Sequence, residues 1–384
     1  MFDRKEYLKG IRRVVIKVGT SSITHRTGLL NLERMEALSR QIADLHNRGI
    51  EVILVSSGAI GAGMGKLNLK ERPRTVPEKQ AAAAVGQGVL IHMYQKTLSE
   101  YGKTIAQILV TKDDLADRSR FLNARNTVFS LLAHGVIPIV NENDAVATDE
   151  LKYGNKIGDN DTLSALMVSL VDAELLIILS DIDGLYDANP ATHPEARMIP
   201  EVHEITHDIV EMAGGSGSML GTGGMATKIK AAQIATSTGA DMVIAASAQE
   251  RILYRLIEGE PVGTLFLRKD KAVQARQHWI GYSSRVIGEI RVDAGAARAM
   301  CQRRKSLLPS GITGVTGTFQ AGAIVAVRDE EGRHIANGVS NYDSHEIEMI
   351  RGLKTEAIIS VLGYKDYDEV IHANNMLIIG GAES

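Results

Sequence analysis

The sequence is poor in cysteine, and this scarcity limits its chemistry. Cys301 is the single cysteine among 384 residues. One cysteine excludes an intramolecular disulfide and any metal site built from several cysteines. It also favours a protein of the reducing cytoplasm.

Long apolar runs and an excess of charge are missing as well. No uninterrupted apolar stretch approaches the roughly 20 residues that a membrane-spanning helix needs. The first ten residues contain no apolar segment of the kind found in a secretory signal. The formal net charge of -3 gives no sign of a surface that binds nucleic acid or an anionic membrane. These patterns predict a cytoplasmic protein without a membrane partner.

What the sequence does contain is a long alternation of apolar strands and amphipathic helices. Hydrophobic residues make up 44% and charged residues 23%, the balance of a globular protein. A strand at 14–16 precedes a helix at 31–48, for which Asn31 is a good N-cap. Further strands are predicted at 52–55, 105–110, 136–140, 175–179 and 242–246. The pattern indicates an α/β fold with a mostly parallel sheet sandwiched between helices, in which ligands bind beyond the carboxyl ends of the strands.

The pattern changes towards the C-terminus. Residues 268–276 are charged and have little apolar periodicity, so we place a linker at 271–286. It separates a domain at 1–270 from a second domain at 287–384. In the second domain strands are short and turns frequent, and a hairpin is predicted at 324–336. The second domain is therefore expected to be small and rich in strands.

Two glycine-rich segments carry lysines suited to phosphate. Lys17 ends a strand and Gly19 follows it, so the ammonium group can point at a phosphate that backbone N–H groups also approach. Residues 221–228 open a helix, whose free N–H groups and dipole favour an anion, and Lys228 adds a charge. The alternatives are an exposed lysine beside an ordinary turn and a flexible linker. The Gly-Lys-Ser/Thr ending of a P-loop is absent, which argues against a P-loop ATPase.

Asparagine and aspartate are concentrated in three further segments. They occur at 141–144, 158–161 and 180–186. The first two can bind the ammonium and carboxylate groups of an amino acid, or hold lysines or Mg²⁺ in place. The third suits a ribose or an adenine. Ordinary turns use the same residues, but the five segments together, on an α/β chain, give a stronger signal than any one of them alone.

With these motifs the sequence resembles the glutamate 5-kinases, a family of the amino acid kinase superfamily. The resemblance covers nearly the whole chain. It is carried by Lys17-Val-Gly-Thr-Ser, Ser56-Ser-Gly-Ala-Ile, Phe121-Leu-Asn-Ala-Arg-Asn, Asn141-Glu-Asn-Asp-Ala-Val, Gly158-Asp-Asn-Asp-Thr-Leu-Ser-Ala and Gly221-Thr-Gly-Gly-Met-Ala-Thr-Lys. The C-terminal region resembles a PUA domain, a small β-barrel, through residues 288–293, 305–312, 317–322 and 335–340. The two domains are accordingly expected to be an amino acid kinase catalytic domain and a PUA-like domain.

The resemblance implies a reaction and its site residues. The reaction is the ATP-dependent phosphorylation of the side-chain carboxylate of L-glutamate to L-glutamyl 5-phosphate, the first step of proline biosynthesis. The resemblance also implies Mg²⁺, a homo-oligomer and feedback inhibition by proline. The implied nucleotide-binding residues are Lys17, Gly19, Ser180, Asp181, Thr222, Gly223, Gly224, Met225, Ala226, Thr227 and Lys228. The implied glutamate-binding residues are Ser57, Asp144 and Asn160. Ser180 stands where the family often has threonine, and it keeps the hydroxyl group.

The chemistry of the reaction agrees with these roles. Phosphoryl transfer needs in-line positioning and neutralisation of spreading negative charge. A carboxylate nucleophile is already ionised at pH 7 and needs no general base. We therefore expect Lys17 and Lys228 to be catalytic, with Asp161 pairing with both to fix their direction. Mg²⁺ would be held largely by phosphates and water, so no protein residue is assigned as a metal ligand. The alternative within the superfamily is a kinase of another amino-acid carboxylate.

A zinc-protease motif, H-E-x-x-H, occurs at 203–207. It functions only on a helix, where both histidines share one face. Pro200 lies just upstream, and Thr206 is a typical N-cap for a helix beginning near His207. His203 would then lie outside the helix, so we interpret the match as accidental.

A role in RNA binding is the other alternative, because PUA domains occur in RNA-modification enzymes. Residues 285–384, however, contain 11 basic and 13 acidic residues, whereas an RNA-binding domain normally carries a basic stripe. The single basic run, 303–305, is equally typical of a solvated turn. We therefore favour a structural or regulatory role for this domain.

Overall fold

The computed structural model describes residues 3–25, 27, 29–147, 160–190, 192–213, 224–269 and 286–379. The chain divides into two compact units, Met1–Ala272 and Val273–Ser384. Apart from its last residue, Val286, the predicted linker lies outside the described residues.

The first unit is built on an eight-stranded sheet. Its strands are β1 Arg13–Val18, β2 Glu51–Ser56, β3 Ile105–Val110, β4 Ile137–Glu142, β5 Leu175–Ser180, β8 Glu201–Val202, β9 Asp241–Ala246 and β10 Thr264–Phe266, while β6 Leu185–Tyr186 and β7 Met198–Ile199 form a separate pair. The order is β3-β4-β2-β1-β5-β9-β10-β8. Neighbouring strands are parallel except for β9 and β10. The prediction of a mostly parallel sheet is confirmed.

Helices cover both faces of this sheet. They are α1 Arg4–Tyr7, α2 Thr20–Ile23, α3 Leu32–Asn47, α4 Ala59–Lys66, α5 Val76–Ser99, α6 Lys112–Ala116, α7 Arg118–Ala133, α8 Asn160–Val171, α9 His207–Met212, α10 Met225–Ser237 and α11 Ile252–Ile257. On one face α3, α5 and α11 bury Ile16 and Leu54 of the sheet. On the other face α7, α8 and α10 bury Val15 and Ile53. Among the helices that the structure describes, none combines the length and apolarity of a membrane span.

Helix α3 shows how the local sequence sets an element. The side chain of Asn31 accepts a hydrogen bond from Arg34 N at 3.1 Å, which caps the first turn. Met35 and Ile42 are fully buried at helical spacing. Gly49, with φ of 84°, follows the last turn in the left-handed region that favours glycine. The predicted helix at 31–48 is thereby confirmed.

The alternation along β1 decides where Lys17 points. Val14 and Ile16 belong to the core layer under α3, and Val15 belongs to the layer under α8. Side chains alternate between the faces of a strand, so Lys17 shares a face with Val15. The ammonium group is thus directed to the side of the sheet that α8 and α10 cover.

The second unit contains a five-stranded sheet. Its strands are β11 Gly288–Val292, β12 Ile312–Thr316, β13 Ile324–Arg328, β14 His334–Val339 and β15 Met376–Ile378, and its helices are α12 Ala294–Arg303, α13 Ser344–Ile350 and α14 Ile358–Leu362. The order is β12-β11-β13-β14-β15, with antiparallel neighbours except for β11 and β13. The predicted hairpin is the β13–β14 pair. A separate core around Ile290, Val325 and Tyr342 supports this strand-rich unit.

Candidate active site

Lys17, Asp161 and Lys228 come together between β1, α8 and α10. Lys17 Nζ lies 2.6 Å from Asp161 Oδ1, and Lys228 Nζ lies 3.1 Å from Asp161 Oδ2. The three side chains are 7%, 1% and 4% exposed, in the order Lys17, Asp161 and Lys228. Two positive charges and one negative charge are therefore buried together. Two buried ammonium groups that share one carboxylate are a suitable environment for an anionic ligand.

Asp161 is held in its ionised form by the two lysines. Its burial favours the protonated acid, but the charges of Lys17 and Lys228 outweigh that effect and keep the pKa of Asp161 below its ordinary value. Thr227 Oγ1 lies 3.0 Å from Asp161 Oδ2 and 2.8 Å from Gly224 O, and can donate to either. The carboxylate thus fixes the direction of both ammonium groups.

Helix α10 presents its N-terminus beside Lys228. Gly224 is the N-cap and provides no side-chain cap, and Met225 and Ala226 open the first turn. The N–H groups of a first turn have no partner within the helix, so they are available to an anion. Two other predicted nucleotide-binding residues, Thr222 and Gly223, lie outside the described residues.

Gly19 lies directly after β1, next to the Lys17 ammonium group. Its N–H donates to Leu179 O at 3.3 Å. A Cβ atom at this position would lie 3.6 Å from Leu179 O and 3.7 Å from Lys17 Nζ. The protein could accommodate that methyl group, but it would occupy space from which an anion reaches the ammonium group. Glycine therefore keeps the approach to Lys17 open.

A second, uncharged cluster lies next to the lysines. Asn160, which precedes Asp161 in α8, donates through Nδ2 to Ser57 Oγ at 2.7 Å and to Asn141 Oδ1 at 3.1 Å. Asn141 in turn donates to Gln87 Oε1 at 2.8 Å. The structure thus brings together two of the predicted glutamate-binding residues, Ser57 and Asn160. It adds Gln87, which the sequence analysis did not single out.

Asp144, the third residue predicted to bind glutamate, lies beside this cluster. It is half-buried and lines a cavity of about 250 Å³ together with Gln87. Glu142 and Asn143, from the same sequence motif, line that cavity as well. Asp144 therefore shares this cavity with Gln87, the residue that accepts a hydrogen bond from Asn141.

Ser180 and Asp181 lie at the carboxyl end of β5. Ser180 Oγ donates to Asp181 Oδ1 at 3.0 Å. In the sheet β5 is the parallel neighbour of β1, and Lys17 pairs with Ile178 in register. The two residues are therefore at the same edge of the sheet as the lysine cluster, as expected for residues that would contact the rest of a nucleotide.

The H-E-x-x-H motif does not form a zinc-protease helix. Helix α9 begins at His207 after the N-cap Thr206, so His203 lies outside it. The exposed side chains of His207, Asp208 and Glu211 lie close together, but this group contains neither His203 nor Glu204. The prediction that the helix begins near His207 and leaves His203 outside it is confirmed.

Comparison with known proteins shows the family to which this chain belongs. The amino acid kinase family model matches residues 12–246, and the PUA domain model matches residues 288–362. Glutamate 5-kinase of Moorella thermoacetica is 54% identical over 373 residues, which are 97% of this chain and 98% of that protein. Glutamate 5-kinase of Carboxydothermus hydrogenoformans is 54% identical over 376 residues, 98% of this chain and 100% of its own length. A solved UMP kinase from Bacillus anthracis covers 67% of this chain and 96% of its own, with a TM-score of 0.46 and 17% identity. The chain therefore belongs to the amino acid kinase family and, within it, to the glutamate 5-kinases with a C-terminal PUA domain.

Proposed function

We propose that this protein transfers the γ-phosphoryl group of ATP to the side-chain carboxylate of L-glutamate, giving L-glutamyl 5-phosphate and ADP. The product is the first intermediate of proline biosynthesis. The observation that carries the proposal is the buried Lys17–Asp161–Lys228 cluster, in a chain that is 54% identical to glutamate 5-kinases over nearly its full length.

The lysine cluster is suited to the transition state of phosphoryl transfer. In that state negative charge spreads over the oxygens of the transferred group and of the leaving phosphate. Both ammonium groups pair with Asp161, and both can also donate to the oxygens of the transferred group. Because Asp161 already holds Lys17 and Lys228 in place, their reorganisation during the reaction costs little.

The nucleotide would lie along the edge formed by the ends of β1 and β5 and the start of α10. We assign Gly19 and the N–H groups at Met225 and Ala226 to the phosphates, and Ser180 and Asp181 to the ribose and adenine end. With this assignment the γ-phosphate would lie near Lys17 and Lys228, which agrees with the positions of the nucleotide-binding residues that the structure describes.

Mg²⁺ would enter this site bound to the phosphates of the nucleotide and not to a protein side chain. Both oxygens of Asp161 already face lysine ammonium groups, so its carboxylate is not available as a ligand. Mg²⁺ commonly keeps several waters and binds through substrate phosphates. The ion would supply further neutralisation of phosphate charge.

The uncharged cluster is suited to the amino acid. Asn160 and Ser57 offer amide and hydroxyl groups for the α-carboxylate and ammonium groups, and Asp144 offers a negative charge for the ammonium group. Asn160 and Asp161 are adjacent in the first turn of α8, so the amino acid and the phosphoryl group meet at one helix terminus. The attacking carboxylate is ionised at pH 7, since its pKa in free glutamate is about 4.3. No residue is therefore needed to remove a proton.

The test is an ADP-release assay with ATP, Mg²⁺ and a panel of amino acids. We expect turnover with L-glutamate and little with aspartate or acetylglutamate. Preference for either of the other two would replace glutamate by another amino-acid carboxylate. As a matched pair, Lys228→Ala should abolish most turnover, whereas Lys230→Ala, which removes an exposed lysine from the same helix, should leave it unchanged.

A further inference from the structure

A cavity of about 600 Å³ lies on the face of the first unit's sheet opposite to the lysine cluster. Val18 and Leu179, the inner walls of the cavity, belong to the core layer under α3, whereas Lys17 points to the α8 side. Leu38 of α3 and Ile252 of α11 form further apolar walls. The cavity therefore lies between α3 and α11, behind the loop that carries Gly19.

This cavity lies where an open α/β sheet commonly binds ligands. Along the sheet, β2 is on one side of β1 and β5 is on the other, so the strand order reverses between β1 and β5. Val18 and Leu179 are at the carboxyl ends of these two strands. A crevice at such a reversal is the usual ligand position in doubly wound folds.

The rim of the cavity is rich in arginine. Arg34, Arg40 and Arg251 line it, against the two carboxylates Glu33 and Glu250. Arg34 Nη1 donates to Ser21 O at 3.0 Å. In the part of the chain that the structure describes, Arg40 and Arg251 form no ion pair. Arg251 Cζ lies 5.4 Å from the centre of the Tyr254 ring, a contact that does not use its N–H groups. Both guanidinium groups can therefore donate to an anion.

A buried hydroxyl group in the same cavity has no protein partner. Ser22 is 4% exposed, and among the described residues its Oγ has no hydrogen bond. Burying a hydroxyl group without a partner is unfavourable. Arg251 is strained as well, because its φ of 56° and ψ of 30° are in the left-handed region. Both features recur at positions that serve a ligand.

We propose that this cavity is a second ligand site, which binds a phosphorylated small molecule. A guanidinium group can donate two parallel hydrogen bonds to two oxygens of a phosphate, and the buried Ser22 hydroxyl can donate to another oxygen. The apolar walls suit the remainder of the molecule, and the volume suits a ligand of nucleotide size. The occupant would lie next to the Gly19 loop, and the Ser22 hydroxyl lies between it and the approach to Lys17, because a Cβ atom on Gly19 would be 3.8 Å from Ser22 Oγ and 3.7 Å from Lys17 Nζ.

Calorimetric titration with inorganic pyrophosphate tests this site. The full chain is first saturated with a non-hydrolysable ATP analogue, so that the nucleotide site is already filled. We expect one further pyrophosphate to bind. The double variant Arg40→Gln/Arg251→Asn should weaken that binding at least roughly tenfold, since it removes two charge-assisted contacts. Arg12→Gln, which removes an exposed arginine outside the cavity, should not weaken it.

Each result decides the proposal. Absence of binding to the analogue-saturated protein, or full binding by the double variant, would overturn it. Equal affinity for tricarballylate, a tricarboxylate, would overturn the assignment to phosphate. The proposal does not rest on glutamate as substrate, because the readout is binding. Failure of the ATP analogue itself to bind would contradict the proposed kinase instead.

A different observation supports a second inference, about Gln87. Its Oε1 accepts from Asn141 Nδ2, which leaves Asn141 Oδ1 to accept from Asn160 Nδ2. Asn141 is 2% exposed, so it has no water to replace a lost partner. The orientation of the Asn160 amide therefore depends on that of Asn141, and the orientation of the Asn141 amide depends on Gln87.

We infer that Gln87 is a positioning residue for the amino acid. By accepting from Asn141 it directs the amide NH₂ group of Asn160 toward the protein, which leaves the amide oxygen of Asn160 to accept from the substrate ammonium group. This inference rests on the proposed function. It also explains why a glutamine on α5 lines the same cavity as Asp144.

Two substitutions of Gln87 test whether its side chain acts as a hydrogen-bond acceptor or only fills space. Gln87→Met keeps the length of the side chain but removes the acceptor, and should raise the KM for glutamate roughly tenfold while the KM for ATP stays constant. Gln87→Glu keeps an acceptor and should restore most of the affinity. If Gln87→Met leaves the glutamate KM unchanged in a protein that phosphorylates glutamate, the inference is wrong. A wild-type protein without activity on glutamate would contradict the proposed function instead.

Discussion

The two halves of the active site hold their side chains by different forces. Lys17, Asp161 and Lys228 are joined by ion pairs in an almost water-free environment. Asn160, Ser57 and Asn141 are joined by neutral hydrogen bonds. In the proposed mechanism, charged groups lie where negative charge develops on the phosphoryl group, and neutral hydrogen bonds lie where the amino acid is recognised. Substitutions in the charged half should therefore affect turnover, and those in the neutral half should affect the KM for the amino acid.

The largest effect is expected from removing a lysine. Lys228→Ala and Lys17→Ala should each lower kcat by roughly 10² or more, because each deletes a charge that is proposed to stabilise the transition state. Steady-state kinetics with saturating ATP and glutamate measures this, and circular dichroism checks that the variants are folded. A folded variant with turnover close to that of the wild type would remove that lysine from the mechanism.

Asp161→Asn tests the electrostatic basis of the charged half. It removes the carboxylate that pairs with both buried ammonium groups among the described residues, so we expect the free energy of unfolding to fall by about 3 kcal/mol. Asp44→Asn, in an exposed pair with Arg48, should change it by less than about 1 kcal/mol. An ATP analogue should stabilise Asp161→Asn more than the wild type, because its phosphates replace the missing charge. Urea unfolding with and without the analogue measures both effects, and equal stability of the two aspartate variants would contradict the prediction.

The same carboxylate gives a pH dependence with a definite sign. The folded-state pKa of Asp161 lies below its ordinary value of 3.8. Its ionised form therefore stabilises the fold at neutral pH, and this contribution is lost as the pH falls below about 4. Unfolding measured at pH 7, 5 and 3 should show a loss in the acid range that is smaller in Asp161→Asn. Identical acid sensitivity of the two proteins would show that Asp161 is not the responsible group.

A smaller and different effect is expected in the neutral half. Asp144→Ala removes the proposed partner of the glutamate ammonium group, which is present in the ground state and the transition state alike. The KM for glutamate should therefore rise roughly tenfold, more than kcat falls. A change confined to the KM for ATP would place Asp144 with the nucleotide.

The difference between the two halves also explains what the sequence could reveal. Lys17 could be predicted as a site residue because it is a charged residue at the end of the apolar strand 14–16. Asp161 and Lys228 lie in short motifs that start helices α8 and α10. These signals are local, so the sequence also predicted the strands and the main helix α3 with boundaries close to those observed.

Contacts between distant segments gave no such signal. Gln87 and Asn141 are joined by a hydrogen bond between α5 and β4, and nothing near Gln87 in the sequence distinguishes it from other polar residues of a long helix. Gly86 is similar: a Cβ there would lie 1.7 Å from Ala59 O, because α5 packs closely on α4. The sequence shows that Gly86 lies within a helical segment, but it does not show that the backbone of Ala59 packs against it. The arginine-lined cavity depends likewise on α3 and α11 meeting across about 200 residues of chain.

The smallest effect on catalysis is expected from removing the second unit. All the described active-site residues lie between Lys17 and Lys228, inside the unit Met1–Ala272. That unit has two core layers of its own, and the second unit has a separate core. We therefore predict that a chain ending at Arg276 folds and keeps its glutamate kinase activity, within about threefold of the full chain. Its oligomeric state or its response to proline is free to change, since an appended domain can bias assembly without altering the chemistry. Turnover and size-exclusion chromatography of the shortened and full chains, measured side by side with and without proline, test this. A soluble, folded but inactive shortened chain would show that the PUA unit completes the active site, and the assignment of all catalytic groups to the first unit would then be wrong.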